Sequence, residues 1–331
     1  MAGDGGYEAA RRRGRAERLT SPTALAAAPP PEPLLVVTGP TASGKTAFAL
    51  ELAARTGREI LSMDSMAVYR RMDIGTAKPS AADRARAPHH LIDLVEPHED
   101  FDTARWCAAA ADALADLGRR GKGALFVGGT PLYLMAFFKG MLESPPGDPK
   151  LRADLAAREA AQPGVLHAEL LQRDPAAAAR IHPKDLRRLV RAHEVLQQTG
   201  QTISSQQRHF DRADWARPCR IAVVERDRDE LHARVKARTA QMLADGLLAE
   251  TEAIERAGGF SRTAGAAIGY AECRDFLRGR YKDPLELRNR IRRNTHQLIR
   301  RQTTWLRRLP DVARVPAANG VDAVAAALGL G

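Results

Sequence analysis

Short apolar runs alternate with longer amphipathic stretches along most of the chain. The first run, Leu34–Thr38, is bounded by Pro33 and Gly39, which is typical of a buried strand. Similar runs predict further strands at residues 59–63, 90–94, 124–127 and 220–224. Helices are predicted between strands, at residues 46–54 and 102–118. Because strands that alternate with helices form parallel sheets covered on both faces, the pattern predicts a doubly wound α/β core.

The strand signal disappears between about residues 145 and 210, where helical periodicity replaces it. Two helices are predicted in that stretch, at roughly residues 149–162 and 184–198. After Asp227 the chain is again mostly helical, with helices predicted at about residues 229–256, 270–278 and 284–308. The sequence therefore predicts substantial helical parts in addition to the sheet.

These patterns divide the chain into four parts. Residues 34–144 and 211–315 are predicted to form the α/β core, and residues 145–210 a helical insertion. Residues 316–331 form a small Ala-rich tail. Residues 1–33 are rich in Ala, Arg and Pro, and we predict a disordered N-terminal extension there.

Basic residues exceed acidic ones: 51 Lys and Arg against 40 Asp and Glu give a net charge of +11. This balance favours a polyanionic partner, without choosing among nucleic acid, a membrane surface and a phosphorylated substrate. No run of about 18 uncharged apolar residues is present, so no membrane span is predicted. The three cysteines lie far apart and lack metal-ligand spacing. We therefore expect a reduced, cytoplasmic chain without disulfides or zinc.

The segment GPTASGKT at residues 39–46, here called the phosphate loop, fits the pattern G-x-x-x-x-G-K-[ST] between a predicted strand and a predicted helix. In such loops, backbone N–H groups surround phosphate oxygens, and Gly39 and Gly44 allow the close approach. Lys45 supplies a positive charge, and the Thr46 hydroxyl suits Mg²⁺. The pattern predicts a diphosphate or triphosphate site, although a glycine-rich turn without a ligand is the alternative.

Asp64 follows directly on the strand predicted at residues 59–63. In open α/β sheets, ligands bind outside the carboxyl ends of the strands, so a carboxylate there could hold Mg²⁺ or accept a proton. Asp93, after a second short apolar run, is another candidate of this kind. Asp is also a good helix N-cap, and position alone leaves Asp64 equally suited to either role.

Seven segments, taken together and in this order, resemble the tRNA dimethylallyltransferases, which are also called tRNA isopentenyltransferases. They cover about residues 34–310, and the GTAKP and IGY elements are more specific to that family than the phosphate loop. The segments are GPTASGKT (39–46), DSMAVYRRMDIGTAKP (64–79), HHLIDL (89–94), VGGTPLYL (127–134), RIHPKDLRRLVRAHEV (180–195), AIGYAE (267–272) and RRQTTWLRR (300–308).

The resemblance implies a phosphate-loop α/β fold and a reaction. That family transfers a dimethylallyl group from dimethylallyl diphosphate to N6 of the adenosine adjacent to the tRNA anticodon, and releases diphosphate. Asp64 would be the general base, and Lys45, Thr46 and Arg238 would act at the diphosphate together with Mg²⁺, for which Thr46 is the expected ligand. The diphosphate would lie on the phosphate loop, that is on Gly39, Pro40, Thr41, Ala42, Ser43, Gly44, Lys45 and Thr46.

The resemblance also implies contacts with the tRNA anticodon stem-loop from several segments. These residues are Asp64, Ser65, Met66, Ala67, Thr130, Arg152, Arg187, Arg188, Leu189, Val190, Arg191, Ala266, Ala267, Ile268, Gly269, Tyr270 and Ala271. The chain departs from the family at Ala67, where many members have Gln, and at His193, where a large apolar residue is frequent. From its position on an apolar helix face, His193 is expected to be a packed or interfacial histidine rather than a ligand or base.

Two groups of arginines have competing interpretations. Arg238 falls on the same helix face as Leu231 and Val235, and a buried arginine requires an anion, either an intramolecular carboxylate or the diphosphate. Residues 286–308 contain eight Arg and one acidic residue, Glu286. This helix could bind tRNA phosphates, or it could pack Ile291, Leu298 and Trp305 on the core and expose its charges to water. Residues 286–308 could do both, because the apolar face and the basic face of the helix need not compete.

Other functions remain open at this point. An adenylate isopentenyltransferase would use the same loop with a free nucleotide, a small-molecule kinase would use it with ATP, and a non-enzymatic RNA-binding protein would need no Asp64. The large cationic surface favours tRNA over a free nucleotide. We expect a monomer that does not bind a membrane.

Overall fold

The computed structural model describes residues 32–140, 147–207 and 215–331, so most of the predicted N-terminal extension lies outside the described residues. Six parallel strands form one sheet in the order β3-β2-β4-β1-β5-β6. The strands are β1 (Leu34–Thr38), β2 (Glu59–Ser62), β3 (His89–His90), β4 (Ala124–Gly128), β5 (Cys219–Glu225) and β6 (Ala313–Pro316). The predicted parallel α/β core is confirmed.

Helices connect the strands, form the insertion and make up most of the C-terminal third. In chain order they are α1 (Lys45–Thr56), α2 (Ala81–Arg86), α3 (Thr103–Arg119), α4 (Pro131–Phe138), α5 (Pro149–Ala161), α6 (Val165–Arg173), α7 (Pro175–Ala178), α8 (Leu186–Thr199), α9 (Ile203–Gln206), α10 (Arg228–Ala244), α11 (Leu247–Arg256), α12 (Tyr270–Leu277), α13 (Pro284–Leu306) and α14 (Gly320–Leu328). No helix of the described ranges has both the length and the apolar character needed to cross a membrane.

The chain forms two compact units. One contains the described residues up to Phe138 together with Arg217–Gly331, and the other is Lys139–Ala216. The second unit contains α5 to α9, whose apolar faces bury a core of their own around Leu166 and Leu189. His193 belongs to this core and its Nε2 lies 2.8 Å from the carbonyl oxygen of Leu166, so the expectation of a packed histidine is confirmed.

The sheet buries different side chains on its two faces, because successive residues of a strand point in opposite directions. Leu35 and Val37 of β1 pack in a cluster that includes α1 and α14. An aromatic group that contains Trp106 of α3, Phe126 of β4 and Phe137 of α4 packs elsewhere in the unit. Every residue of β1, β2 and β4 is buried, so the loops that follow these strands begin at the buried part of the sheet.

Two predicted elements differ from the structure in the following ways, and one strand was not predicted. The strand predicted at residues 90–94 ends at His90, because Leu91 and Asp93 have positive φ angles of 64° and 55° and leave the extended conformation. The helix predicted at residues 229–256 is broken at Gly246, where φ is 98°. Strand β6 was not predicted, because its four residues carry only one fully buried apolar side chain.

Glu59 at the start of β2 carries a buried carboxylate that predicts a specific pH dependence of stability. Arg120 Nη1 and Nη2 donate to its two oxygens at 2.6 and 2.8 Å, and His90 Nε2 lies 2.7 Å away. The bonds from Arg120, then that from His90, lower the pKa of Glu59 from 4.5 to about 2, against the opposing effect of burial. As the pH falls, Glu59 becomes protonated in the unfolded chain before it does so in the folded protein. Its contribution to the stability of the fold is therefore present above pH 4.5 and is lost as the pH falls towards 2.

We expect the wild type to lose about 2 kcal/mol more unfolding free energy than Glu59→Gln between pH 5 and pH 3. Urea unfolding followed by circular dichroism measures this difference. Glu252→Gln is the matched control, because Glu252 is about half exposed and pairs with Arg256 only at 4.0 Å. Equal losses in wild type and Glu59→Gln would contradict the assignment.

Candidate active site

The phosphate loop connects β1 to α1, and its backbone leaves donors free at the start of the helix. A Cβ atom at Gly39 would lie 2.6 Å from the carbonyl oxygen of Val224, and Gly44 has a φ of 95°, so both positions require glycine. The backbone N–H groups of Gly44, Lys45 and Thr46 donate to no acceptor among the described residues. These N–H groups form the anion-binding end of a helix.

Two arginines hold the loop in this orientation. Arg226 Nε donates to the carbonyl oxygen of Ser43 at 2.9 Å, and Arg234 Nε donates to that of Ala42 at 2.7 Å. The carbonyl groups of Ala42 and Ser43 are therefore occupied, whereas the N–H groups at the start of α1 are not. The hydroxyl of Ser43 is buried and has no hydrogen-bond partner among the described residues.

A cavity of about 400 Å³ lies beside the loop, at the carboxyl ends of β1, β2 and β4. This is the position at which open parallel sheets bind ligands. Its lining combines residues from distant segments, including Thr41, Lys45, Asp64, Ser65, Met66, Thr76, Gly129, Thr130, Arg238, Ala266, Ala267, Ile268, Gly269, Thr295, Leu298, Arg301, Gln302 and Trp305. The fold thus brings parts of the predicted diphosphate-binding and tRNA-contacting segments to one cavity. Within residues 39–46 and 64–67, the predicted residues that do not line it are Gly39, Pro40, Ala42, Ser43, Gly44, Thr46 and Ala67.

Asp64 lies at the first turn after β2 and uses only one of its carboxylate oxygens. Oδ1 accepts from the N–H groups of Met66 and Ala67 at 2.8 and 3.2 Å. Oδ2 accepts no hydrogen bond from the described residues, and the side chain lines the cavity. The two roles considered for Asp64 are therefore compatible, because one oxygen caps the turn while the other is available to a ligand.

The segment after β4 supports the backbone at Asp64. A Cβ atom at Gly128 would lie 2.3 Å from the carbonyl oxygen of Met63, so only glycine allows the two strands' ends to approach this closely. Thr130 donates its N–H to the same carbonyl group and accepts from the N–H of Ser65 at 3.2 Å. The VGGT motif is thus a support for the Asp64 turn as well as part of the cavity wall.

Three cations that line the cavity, Lys45, Arg238 and Arg301, have no carboxylate partner within 4.0 Å among the described residues. Lys45 Nζ donates to the carbonyl oxygen of Pro40 at 3.3 Å, and Arg238 makes one long contact, 3.5 Å, to the carbonyl oxygen of Thr76. Burial lowers the pKa of Lys45 to about 8; Asp64 raises it and Arg238 lowers it. Burial also lowers the pKa of Arg238. The alternative of an intramolecular carboxylate for Arg238 is not seen in the described structure, and the cavity is therefore suited to an anionic ligand.

The GTAKP segment is held by a buried lysine rather than forming a plain surface loop. The side chain of Lys78 is 1% exposed, and its Nζ donates to Asp73, to Asp93 and to the carbonyl oxygen of Tyr69 at 2.6 to 2.7 Å. Arg84 also pairs with Asp93. Asp93, the other carboxylate considered at a strand end, is therefore committed to this network and does not line the cavity.

Tyr270 of the IGY motif is fully buried. Its hydroxyl donates to Glu250 at 2.5 Å and accepts from the N–H of Gly75 at 3.1 Å. The four residues that precede it, 266–269, line the cavity. Tyr270 and Ala271 do not. The motif thus joins the GTAKP segment to α12, and its glycine end faces the site.

Gln302 of α13 was considered only as a possible tRNA contact of the basic helix, and its place at the phosphate loop was not predicted. Its Oε1 accepts from the N–H of Thr41 at 2.8 Å, and its Nε2 donates to the carbonyl oxygen of Gly129 at 2.7 Å. The amide thereby connects the phosphate loop to the segment after β4. Trp305, expected on the core in one interpretation of this helix, is instead 45% exposed at the cavity.

In the second unit, the residues expected to contact tRNA have different environments. Arg187 and Arg188 are exposed on α8. Arg152 and Arg191 pair with Glu194, whose side chain is fully buried. Leu189 and Val190 are buried in the core of the unit, so their side chains are committed to packing. Fewer side chains of α8 are therefore available to tRNA than the five residues 187–191 that were expected to contact it.

Comparison with known proteins agrees with these motifs. The IPP transferase family model matches residues 67–309, and an isopentenyl transferase model matches residues 33–88. A tRNA dimethylallyltransferase of Anaeromyxobacter dehalogenans (strain 2CP-C) is 48% identical over 83% of this chain and 92% of its own length. One of Azoarcus sp. (strain BH72) is 45% identical over 84% of this chain and 88% of its own length.

Solved structures agree with the sequence comparison. The crystal structure of a tRNA isopentenylpyrophosphate transferase of Bacillus halodurans is 32% identical to this chain and has a TM-score of 0.64. The match covers 90% of this chain and 97% of that protein. The chain belongs to the IPP transferase family.

Proposed function

We propose that this protein transfers a dimethylallyl group from dimethylallyl diphosphate to N6 of the adenosine adjacent to the tRNA anticodon, and releases diphosphate. One observation carries the proposal. A single cavity beside the phosphate loop joins three cations without carboxylate partners among the described residues, Lys45, Arg238 and Arg301, to the carboxylate of Asp64, whose Oδ2 accepts no hydrogen bond from those residues. Curated relatives named tRNA dimethylallyltransferase, at 48% and 45% identity, support the same activity.

The leaving group determines what the phosphate loop must do. Adenine N6 is a weak nucleophile, because its lone pair is delocalised into the ring, so the allylic carbon–oxygen bond must loosen as N6 attacks. Negative charge then grows on the diphosphate. Lys45, Arg238 and the N–H groups at the start of α1 are preorganised to stabilise that charge. The carbon–nitrogen bond forms as the carbon–oxygen bond breaks, and the electron pair leaves with the diphosphate.

Asp64 completes the proton balance of this reaction. N6 carries an extra proton once it has formed the new bond, and Oδ2 is available to accept it. Oδ1 stays bound to the N–H groups of Met66 and Ala67, which keeps the carboxylate oriented. No covalent intermediate on the protein is needed, and the three cysteines take no part in the transfer.

Mg²⁺ is the expected metal at the diphosphate. The donors present fit it: Thr46 offers an exposed hydroxyl at the start of α1, and Mg²⁺ in phosphate sites takes most of its ligands from phosphate oxygens and water. The described residues contain no cluster of three or more His, Cys, Asp or Glu, so no cage made only of protein ligands competes with this arrangement. Bound there, the ion would neutralise charge on the diphosphate.

The tRNA side of the proposal rests on two surfaces. The adenosine must leave the anticodon-loop stack for N6 to be open to in-line attack, and the half-exposed ring of Trp305 at the cavity suits stacking on an RNA base. Helix α13 adds arginines along its exposed side. In the second unit, Arg187 and Arg188 are the exposed cations of α8.

A transfer assay tests this function against the alternatives. The full chain is incubated with labelled dimethylallyl diphosphate and Mg²⁺, together with either unmodified tRNA or AMP. We expect label in tRNA and none in AMP. Label in AMP alone would identify an adenylate isopentenyltransferase, and ATP consumption without prenyl transfer would identify a kinase.

A further inference from the structure

A pair of stacked histidines lies outside the cavity, where α10 packs on α13. The ring centroids of His232 and His296 are 4.1 Å apart, with an angle of 25° between the ring planes. Neither residue lines the cavity described above. Nε2 of His296 is buried and has no hydrogen-bond partner among the described residues, and the same is true of Nε of Arg292, one turn earlier on α13. Buried nitrogen atoms of this kind are normally satisfied, so two adjacent ones indicate a missing partner.

The groups that act most on the pKa of His296 are all basic. From α13 it faces Arg292 and Arg300, and from α10 it faces His232 and Arg228. Burial, and then these four groups, lower the pKa of His296. Its ring therefore tends to be neutral when no anion is present, although it is surrounded by donors and cations.

These side chains border an open depression on α13 of about 460 Å³. The depression, here called the histidine–arginine depression, is lined by Asn289, Arg292, Arg293, His296, Gln297 and Arg300. All six side chains can donate hydrogen bonds, and none is a carboxylate. A depression with several donors and excess positive charge matches a phosphate oxyanion.

We propose that the histidine–arginine depression binds a backbone phosphate of the tRNA, with His296 taking up a proton when the phosphate binds. The inference rests on the proposed function, which supplies a long polyanion as substrate. The depression is open, so it can accept a phosphodiester within a continuing chain. An anion beside His296 favours its charged form, so RNA binding and proton uptake strengthen each other.

Binding of tRNA to the full chain at pH 6, 7 and 8, at fixed salt concentration, tests the proposal. We expect the wild-type Kd to fall by about 3–10-fold from pH 8 to pH 6, and His296→Gln to lose this pH dependence. Arg292→Gln is expected to reduce the slope of log Kd against log salt concentration by about 1. His98→Gln is the control, because His98 is exposed and lies outside the depression.

Histidine NMR gives a second readout that a purely structural role would not change. The resonance of His296, assigned with His296→Gln, should titrate about one pH unit higher when an anticodon stem-loop RNA is added. The proposal would be overturned if the titration of His296 did not change when the RNA is added. It would also be overturned if the Kd for tRNA kept its wild-type pH dependence in His296→Gln and its wild-type salt dependence in Arg292→Gln. Failure of the wild type to prenylate tRNA would instead overturn the proposed function, because these binding measurements do not depend on turnover.

Discussion

Replacement of Asp64 by asparagine is expected to slow prenyl transfer by about 10²–10⁴-fold, the usual contribution of a general base. Asparagine keeps a side-chain oxygen for the N–H groups of Met66 and Ala67, so the turn after β2 stays capped. It cannot accept the N6 proton at neutral pH. The substitution therefore separates the capping role of Oδ1 from the catalytic role of Oδ2.

Single-turnover transfer of labelled dimethylallyl groups to saturating tRNA measures the effect on chemistry, and filter binding measures the Kd for tRNA. We expect the Kd to stay within about twofold of the wild-type value, because one acid–base group contributes to the transition state more than to binding. Asp112→Asn, at an exposed position of α3, is the matched control. A wild-type rate in Asp64→Asn would reduce Asp64 to a cap.

Replacement of Arg238 by glutamine is expected to slow transfer by about 10²–10³-fold, as is found when one preorganised donor to a developing anion is removed. Arg238 has no carboxylate partner in the described structure, so glutamine leaves no protein anion unpaired. The variant should therefore remain folded. Affinity for dimethylallyl diphosphate should fall together with the rate, because the ground-state diphosphate is also an anion.

The pH dependence of Arg238→Gln provides a second readout. Arg238 is one of the groups that lower the pKa of Lys45, which is about 8. Wild-type affinity for dimethylallyl diphosphate should weaken above pH 8 as Lys45 loses its proton, and removal of Arg238 should move this loss to higher pH. Lys236→Gln, on an exposed side of α10, is the control. Unchanged transfer kinetics and an unchanged pH profile in Arg238→Gln would show that Arg238 does not face the diphosphate.

The phosphate loop and the position of Asp64 could be predicted because their signals are local. Leu34–Thr38 is a short apolar run followed by two glycines within six residues, and helix propensity resumes at Lys45. Each step depends on the conformational preferences of neighbouring residues. The same local reasoning failed at residues 90–94, because Leu91 and Asp93 adopt positive φ angles that apolar patterning does not reveal.

The sequence by itself determined the α/β class, the anion-binding loop and, through its motifs, the family. Only the tertiary structure decided which polar groups are satisfied. It brings Gln302 to Thr41 across 261 residues, buries Lys78 between two aspartates, leaves Arg238 without a carboxylate and stacks His232 on His296. The physical reason is that backbone propensity acts over a few residues, whereas the partner of a buried charge or amide is set by which distant segments the folded core places side by side.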